Sequence, residues 1–198
     1  MHSGDCFLVP GPVRMSEACL QAMATPVMTA RGPEFRQVMA GLNSGLRYAF
    51  NLSPSKPEMK TQSWTGEDGY RVVVVSGSGT AAMEMVIANR FRSNDLVLVP
   101  TNGKFGERVA DICRQFCNVK HLNYEWGRSF DLYELEQQLE RGCYEALLIC
   151  HNETSTGITQ DAEAIAEMCE RHGVSFILDG ITSVGGMPVH PAKWKAEA

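Results

Sequence analysis

Residues 72–91, VVVVSGSGTAAMEMVIANRF, join four β-branched residues to four small ones and then to an apolar pattern, Met83, Val86, Ile87 and Phe91, at helical spacing. The stretch predicts a buried parallel strand over 72–75, a tight loop, and a helix over 81–90. The first N–H groups of a helix lack intrahelical partners and its dipole is positive there. The SGSGT loop can therefore receive an anion such as a phosphate, favoured by about 0.3–2 kcal/mol from the dipole alone. Gly77 and Gly79 would let that ligand approach the backbone. The same glycines would serve a plain strand-to-helix turn equally well.

Outward from this unit the pattern repeats. Apolar runs predict strands over 96–99, 119–122, 146–150 and 175–178, and helical periodicity predicts helices over 106–116, 132–141 and 162–172. Asp131 and Glu134 stand in a capping-box relation at the start of one of these helices. Such alternation predicts an α/β fold, a mainly parallel sheet with helices on both faces, whose ligands sit beyond the strand C-termini. Four loops are thereby selected: SGSGT, TNGKFG, HNETSTG and DGITS. Upstream, helices are predicted over 17–23, with Ser16 as N-cap, and over 33–50, with Pro33 in the first turn. The expected organisation is an N-terminal helical segment over 1–52, a surface loop over 53–69, and a cofactor-binding α/β domain over 70–198.

A chain of 198 residues, 44% hydrophobic, can bury a core. Its net charge of −5 and pI near 5.6 argue against a nucleic-acid partner. No basic, apolar leader opens the chain, and no apolar run approaches the roughly 18 residues of a membrane span, so a soluble, cytoplasmic protein is expected. The seven cysteines fall mostly in apolar patterns, as expected of reduced core thiols. Cys113, Cys117 and His121 lack a fourth ligand at a useful spacing, so no metal is expected.

Gly77, Gly79 and Ala82 match the dinucleotide pattern G-x-G-x-x-A, but the following strand, LVLVPTNG, ends without the acid that would hold a ribose. A Walker loop fails too, since no Lys-Ser or Lys-Thr follows the glycines. What remains is one phosphate, an aromatic ring in Phe105, hydroxyls in Thr154, Ser155 and Thr156, and a carboxylate, Asp179, ending an apolar strand. That set suits a phosphorylated heteroaromatic cofactor such as pyridoxal phosphate, with Phe105 stacked on the ring and Asp179 paired to a protonated ring nitrogen. Taken singly, Phe105 could be core, HNETSTG a polar turn, and Asp179 a cap.

Together with ARGPEF (30–35), SGSGTAAME, NGKFGER (102–108), HNETSTG (151–157), LDGITSVGGMP (178–188) and the PGP of 10–12, these residues resemble the class V pyridoxal-phosphate-dependent aminotransferases, above all the serine–pyruvate and alanine–glyoxylate branch. The resemblance runs through nearly the whole chain. It implies a large domain of fold type I, pyridoxal phosphate as cofactor, a small amino acid and a 2-oxo acid as substrates, and a homodimer. Ser78, Gly79 and Thr80 would bind the phosphate, Phe105 would stack on the ring, Thr154 would meet the phenolic oxygen, and Ile181 would pack on the opposite face. Asp179, the catalytic candidate, would hold the pyridinium proton.

In such enzymes the covalent lysine follows in a Ser-x-x-Lys-like segment, and the chain ends at Ala198 before one; Lys193 and Lys195 come too early. The expectation is the front portion of an aminotransferase, inactive by itself. Alternatives are a non-catalytic binding module for pyridoxal phosphate or phosphate, a half-site subunit, or a lyase of the same fold. Sulfur chemistry would need a mobile cysteine, and Cys143 and Cys150 read as buried.

Overall fold

The structure, a computed structural model, describes residues 9–11, 13–54 and 65–198. Pro12 of the PGP segment and residues 55–64 of the expected surface loop lie outside these. The backbone divides into two compact units, Met1–Gly45 and Leu46–Ala198. The first holds α1 (Glu17–Met23) and most of α2 (Pro33–Ala49). Ser16 caps α1, its Oγ accepting from Cys19 N at 3.2 Å. Among the described residues no helix is long and apolar enough to cross a membrane.

The second unit contains α3 (Gly79–Arg90), β1 (Leu96–Thr101), α4 (Lys104–Phe116), β2 (Asn118–Asn123), α5 (Leu132–Arg141), β3 (Ala146–Cys150), β4 (Asn152–Glu153), β5 (Ile158–Thr159), α6 (Ala162–His172) and β6 (Ser175–Asp179). Four strands form a parallel sheet in the order β2-β1-β3-β6, and β4–β5 is a short antiparallel hairpin. Successive strand residues point to opposite faces, and each face has its own core. Leu98, Leu147, Ile149 and Phe176 pack with Leu135 and Leu139 of α5 and Ile165 and Met168 of α6. Val97, Val99, Leu148 and Ile177 pack with Ile87 of α3 and Val109, Ile112 and Cys113 of α4. The expected α/β sheet covered on both faces is thus present.

The strand expected over 72–75 does not form. These residues take no strand conformation, and Val73, Val74 and Val75 are 64%, 47% and 53% exposed. β-Branched composition raises strand propensity, but a strand exists only where a neighbour completes its hydrogen-bond ladder. The outer edge of β6 is paired with residues 196–198. Phe176 bridges Ala196 in parallel, Glu197 N donates to Phe176 O at 2.7 Å, and Leu178 N donates to Ala198 O at 2.9 Å. The helix that follows begins at Gly79, two residues before the sequence pattern predicts, and α4 begins at Lys104 rather than at 106.

The approach to the sheet is fixed by a buried ion pair. Arg47, 1% exposed, donates through Nη2 to both carboxylate oxygens of Asp68, at 2.6 and 2.8 Å, and through Nη1 to Tyr70 O at 2.8 Å; its Nε donates to Ser53 O. Asp68 also accepts from Ser53 N and Tyr70 N. The Tyr70 hydroxyl reaches Ala196 O at 2.7 Å, and Asn51 Nδ2 reaches Val189 O at 2.8 Å, so the same network anchors the last residues beside β6.

Candidate active site

The chain passes from β1 outward to β2 and then returns across β1 to β3, so the winding reverses between β1 and β3. At such a reversal the strand C-termini diverge and leave a crevice for a ligand. The loop after β1 carries Asn102 and Gly103 into α4; the loop after β3 carries residues 151–157.

Glu153 binds these two loops together. Its carboxylate is 0% exposed. Oε2 accepts from Phe105 N at 3.0 Å and Gly106 N at 2.8 Å, while Oε1 accepts from Ser155 N at 3.2 Å and Ser155 Oγ at 2.6 Å. Ser155 Oγ in turn accepts from Lys104 N at 2.9 Å. The first three N–H groups of α4, which no residue of the helix can satisfy, therefore find their acceptors in the β3 loop. Gly103, the N-cap position, has no side chain to offer, and a Cβ there would lie 2.4 Å from Glu153 Cγ and 2.5 Å from Cδ.

Asp179 ends β6, beside β3. Its Oδ1 accepts from Ile181 N at 3.1 Å, but Oδ2 is buried with no hydrogen-bond partner among the described residues. Burial raises its pKa above the ordinary carboxyl value; the Ile181 N–H opposes this and the Glu153 charge adds to it. An orphaned buried acceptor costs about 1–3 kcal/mol, so this oxygen is suited to a donor that a ligand would bring. Cys150, buried next to both acids, is held as a thiol by burial and then by the charges of Asp179 and Glu153. Cys143 is exposed, contrary to its expected burial, because it stands in the turn between α5 and the N-terminal end of β3, away from the strand C-termini.

The remaining loops close on this pair. An ideal Cβ on Gly79 would lie 2.2 Å from Ile181 Cδ1, so the absence of a side chain at 79 is what allows the SGSGT and DGITS loops to touch. Ser78 caps α3 by accepting from Ala81 N at 3.2 Å. Thr80 Oγ1 accepts from Arg108 Nη1 at 3.3 Å, and the same guanidinium lies 5.3 Å above the half-buried Phe105 ring. Thr182 Oγ1 donates to Asn152 O at 3.0 Å, joining DGITS to HNETSTG. The Thr154 hydroxyl is half-buried and makes no hydrogen bond among the described residues.

The contacts Gly79–Ile181, Thr80–Arg108–Phe105, Phe105–Glu153 and Asn152–Thr182 thus link all four loops singled out in the sequence. Glu153 and Arg108 were not among the expected site residues. The signal for Arg108 was its place one helical turn after Phe105. The signal for Glu153 was an acid three residues beyond a wholly apolar strand, directly before the hydroxyls.

The doubly covered parallel sheet, the glycine loop opening a helix and the buried carboxylate at a strand end are shared with solved aminotransferases of the pyridoxal-phosphate transferase fold. The solved alanine–glyoxylate aminotransferase from Nostoc sp. superposes with a TM-score of 0.83 at 32% identity, over 99% of this chain and 49% of that one. The chain belongs to the aminotransferase class-V family, whose model matches residues 49–197. Among curated relatives, the soluble hydrogenase small subunit of a Synechococcus strain is 29% identical over 98% of this chain and 48% of its own length. The (S)-ureidoglycine–glyoxylate transaminase of Bacillus subtilis is 29% identical over 97% of this chain and 43% of its own. The chain spans about half the length of the curated relatives it matches.

Proposed function

We propose that the chain forms the cofactor-binding face of a pyridoxal-phosphate-dependent aminotransferase that moves an amino group from a small amino acid to a 2-oxo acid. The observation that carries this reading is Asp179 Oδ2, buried, unpartnered and beside the glycine loop's contact with Ile181. Pyridoxal phosphate, when bound, supplies an electron sink for the charge left as an amino acid loses its α-proton. Ser78, Gly79 and Thr80 would take its phosphate at the N-terminus of α3, where the dipole favours an anion. Phe105 and Ile181 would hold the two ring faces, and Thr154 would offer its free hydroxyl to the phenolic oxygen. Asp179 would accept a hydrogen bond from the ring nitrogen and keep the proton there.

No described lysine is assigned a covalent role. Lys193 and Lys195 pair with Glu163 and Glu170 of α6, Lys104 pairs with Glu107, and Lys120 is exposed on β2. The 198-residue chain is accordingly proposed to bind the cofactor without transaminating, and the whole protein to work as a cytoplasmic homodimer. The test is an absorption titration of the chain with pyridoxal phosphate, followed by borohydride reduction and intact-mass measurement. Saturable binding without a site-specific adduct is expected; absence of saturable binding by a chain folded according to circular dichroism would refute the reading.

Gly79→Ala separates stability from binding. The atom its Cβ would meet is the free end of Ile181, a side chain 62% exposed, which can turn away at a cost of about 1 kcal/mol or less. The thermal midpoint is expected to fall by only a few degrees. Pyridoxal phosphate affinity is expected to fall about tenfold, because Ile181 leaves the ring face. Equal affinities for the variant and the parent would remove Ile181 from the site.

A further inference from the structure

Among the described residues, Glu153 is the one acidic side chain in the fully buried set. A buried carboxylate is retained only where hydrogen bonds and fields replace its water. Here the replacements are the four donors from Phe105, Gly106 and Ser155, and the positive end of α4. Helix capping alone does not call for this arrangement. α1, α3, α5 and α6 are all capped by the residue immediately before them, Ser16, Ser78, Asp131 and Asp161. At α4 that position is Gly103, and the space its Cβ would fill is occupied by Glu153.

The exchange of a local cap for a distant one has a geometric result. Phe105, the ring-stacking residue of the proposed site, hangs by its backbone N–H from the carboxylate of the residue that directly precedes Thr154, the proposed partner of the ring hydroxyl. The Ser78–Thr80 phosphate loop has no such tie to Glu153. From this we infer that Glu153 is a positioning residue that fixes the ring of Phe105 against the hydroxyl of Thr154, and so sets how the site holds the cofactor's ring while leaving its phosphate contacts alone. The inference rests on the pyridoxal phosphate reading given above.

The test compares the affinities of the 198-residue chain for pyridoxal phosphate and for inorganic phosphate, each by isothermal titration, with thermal midpoints taken on the same samples. Glu153→Gln replaces one acceptor oxygen by an amide that faces N–H groups. It is expected to weaken pyridoxal phosphate binding at least about tenfold and phosphate binding by less than about twofold. Because that variant can also lose stability, a second one restores the cap without the tie. Glu153→Ala combined with Gly103→Ser removes the carboxylate, leaves only the Ser155 hydroxyl, 2.7 Å from the new Cβ and able to rotate once its acceptor is gone, and gives α4 a local N-cap of the kind seen in α1 and α3.

The double variant is expected to recover the thermal midpoint but not the affinity for pyridoxal phosphate. Recovery of both, or a parallel loss for both ligands in Glu153→Gln, would make Glu153 a helix cap and nothing more. A parent chain that binds phosphate no more weakly than pyridoxal phosphate, or binds neither, would instead overturn the cofactor reading and this inference with it.

Discussion

Asp179→Asn is expected to weaken pyridoxal phosphate binding by about tenfold to a hundredfold, the loss that follows when a charge-assisted hydrogen bond worth roughly 1.5–3 kcal/mol becomes a neutral one. Asparagine keeps an oxygen for Ile181 N, so the turn into DGITS survives and the loss is electrostatic. Inorganic phosphate affinity should change little, since asparagine keeps the Ile181 contact through which this loop meets the phosphate loop. An absorption titration of the variant beside the parent reads the effect, and identical curves would take Asp179 out of the site.

The same substitution carries a pH signature in the ligand-free chain. Burial, opposed by the Ile181 N–H and reinforced by Glu153, raises the folded-state pKa of Asp179 above its ordinary 3.8. The protonated carboxyl's contribution to stability is therefore complete below that ordinary value and is lost as pH rises through the folded one. Asparagine has no proton to lose, so the variant should gain on the parent as pH rises from the ordinary value of 3.8 through the folded one. A stability difference that stays constant as pH rises would mean that Asp179 is solvated in the folded chain.

Arg47→Met carries the largest expected cost in stability, about 2–4 kcal/mol, because it removes a buried guanidinium from a half-buried carboxylate and two backbone carbonyls. The guanidinium serves Asp68, Ser53 O and Tyr70 O among the described residues, and methionine serves none of them. Burial by itself would raise the pKa of Asp68, but hydrogen bonds from Tyr70 N, Arg47 and Ser53 outweigh it and leave the carboxyl below its usual value of 3.8. A depressed folded-state pKa stabilises above the unfolded value and ceases to do so as pH falls through the folded one. The penalty of Arg47→Met should therefore be full at pH 7 and diminish toward pH 3 in urea unfolding. A loss below about 1 kcal/mol at neutral pH would rank this pair with exposed ones such as Lys193–Glu163.

The fold was legible wherever a segment carried its own information. ALLIC and SFILD read as buried strands because every residue that packs is apolar, and α5 announces itself by Asp131 at its own N-cap. Residues 72–75 misled for the converse reason. Four valines state a preference, whereas a strand also needs a neighbour to complete its ladder, and none pairs with 72–75 among the described residues. The site was legible through residues whose chemistry is local, a glycine where two loops touch and an acid at a strand end. Glu153 was missed because its meaning lies in amides 47 and 48 residues away, and nothing near it in the sequence marks α4 as lacking a cap of its own.

That separation also orders events in time. Helix α4 can wind its body from local propensity in microseconds, but its first turn is complete only after the chain has closed a loop of nearly fifty residues to bring in β3 and the β4–β5 hairpin. The amides of Lys104, Phe105 and Gly106 are then among the last of the helix to gain protection from hydrogen exchange during refolding. The shelf proposed for an aromatic ligand is thereby finished late, by the docking of the strand that also brings Thr154.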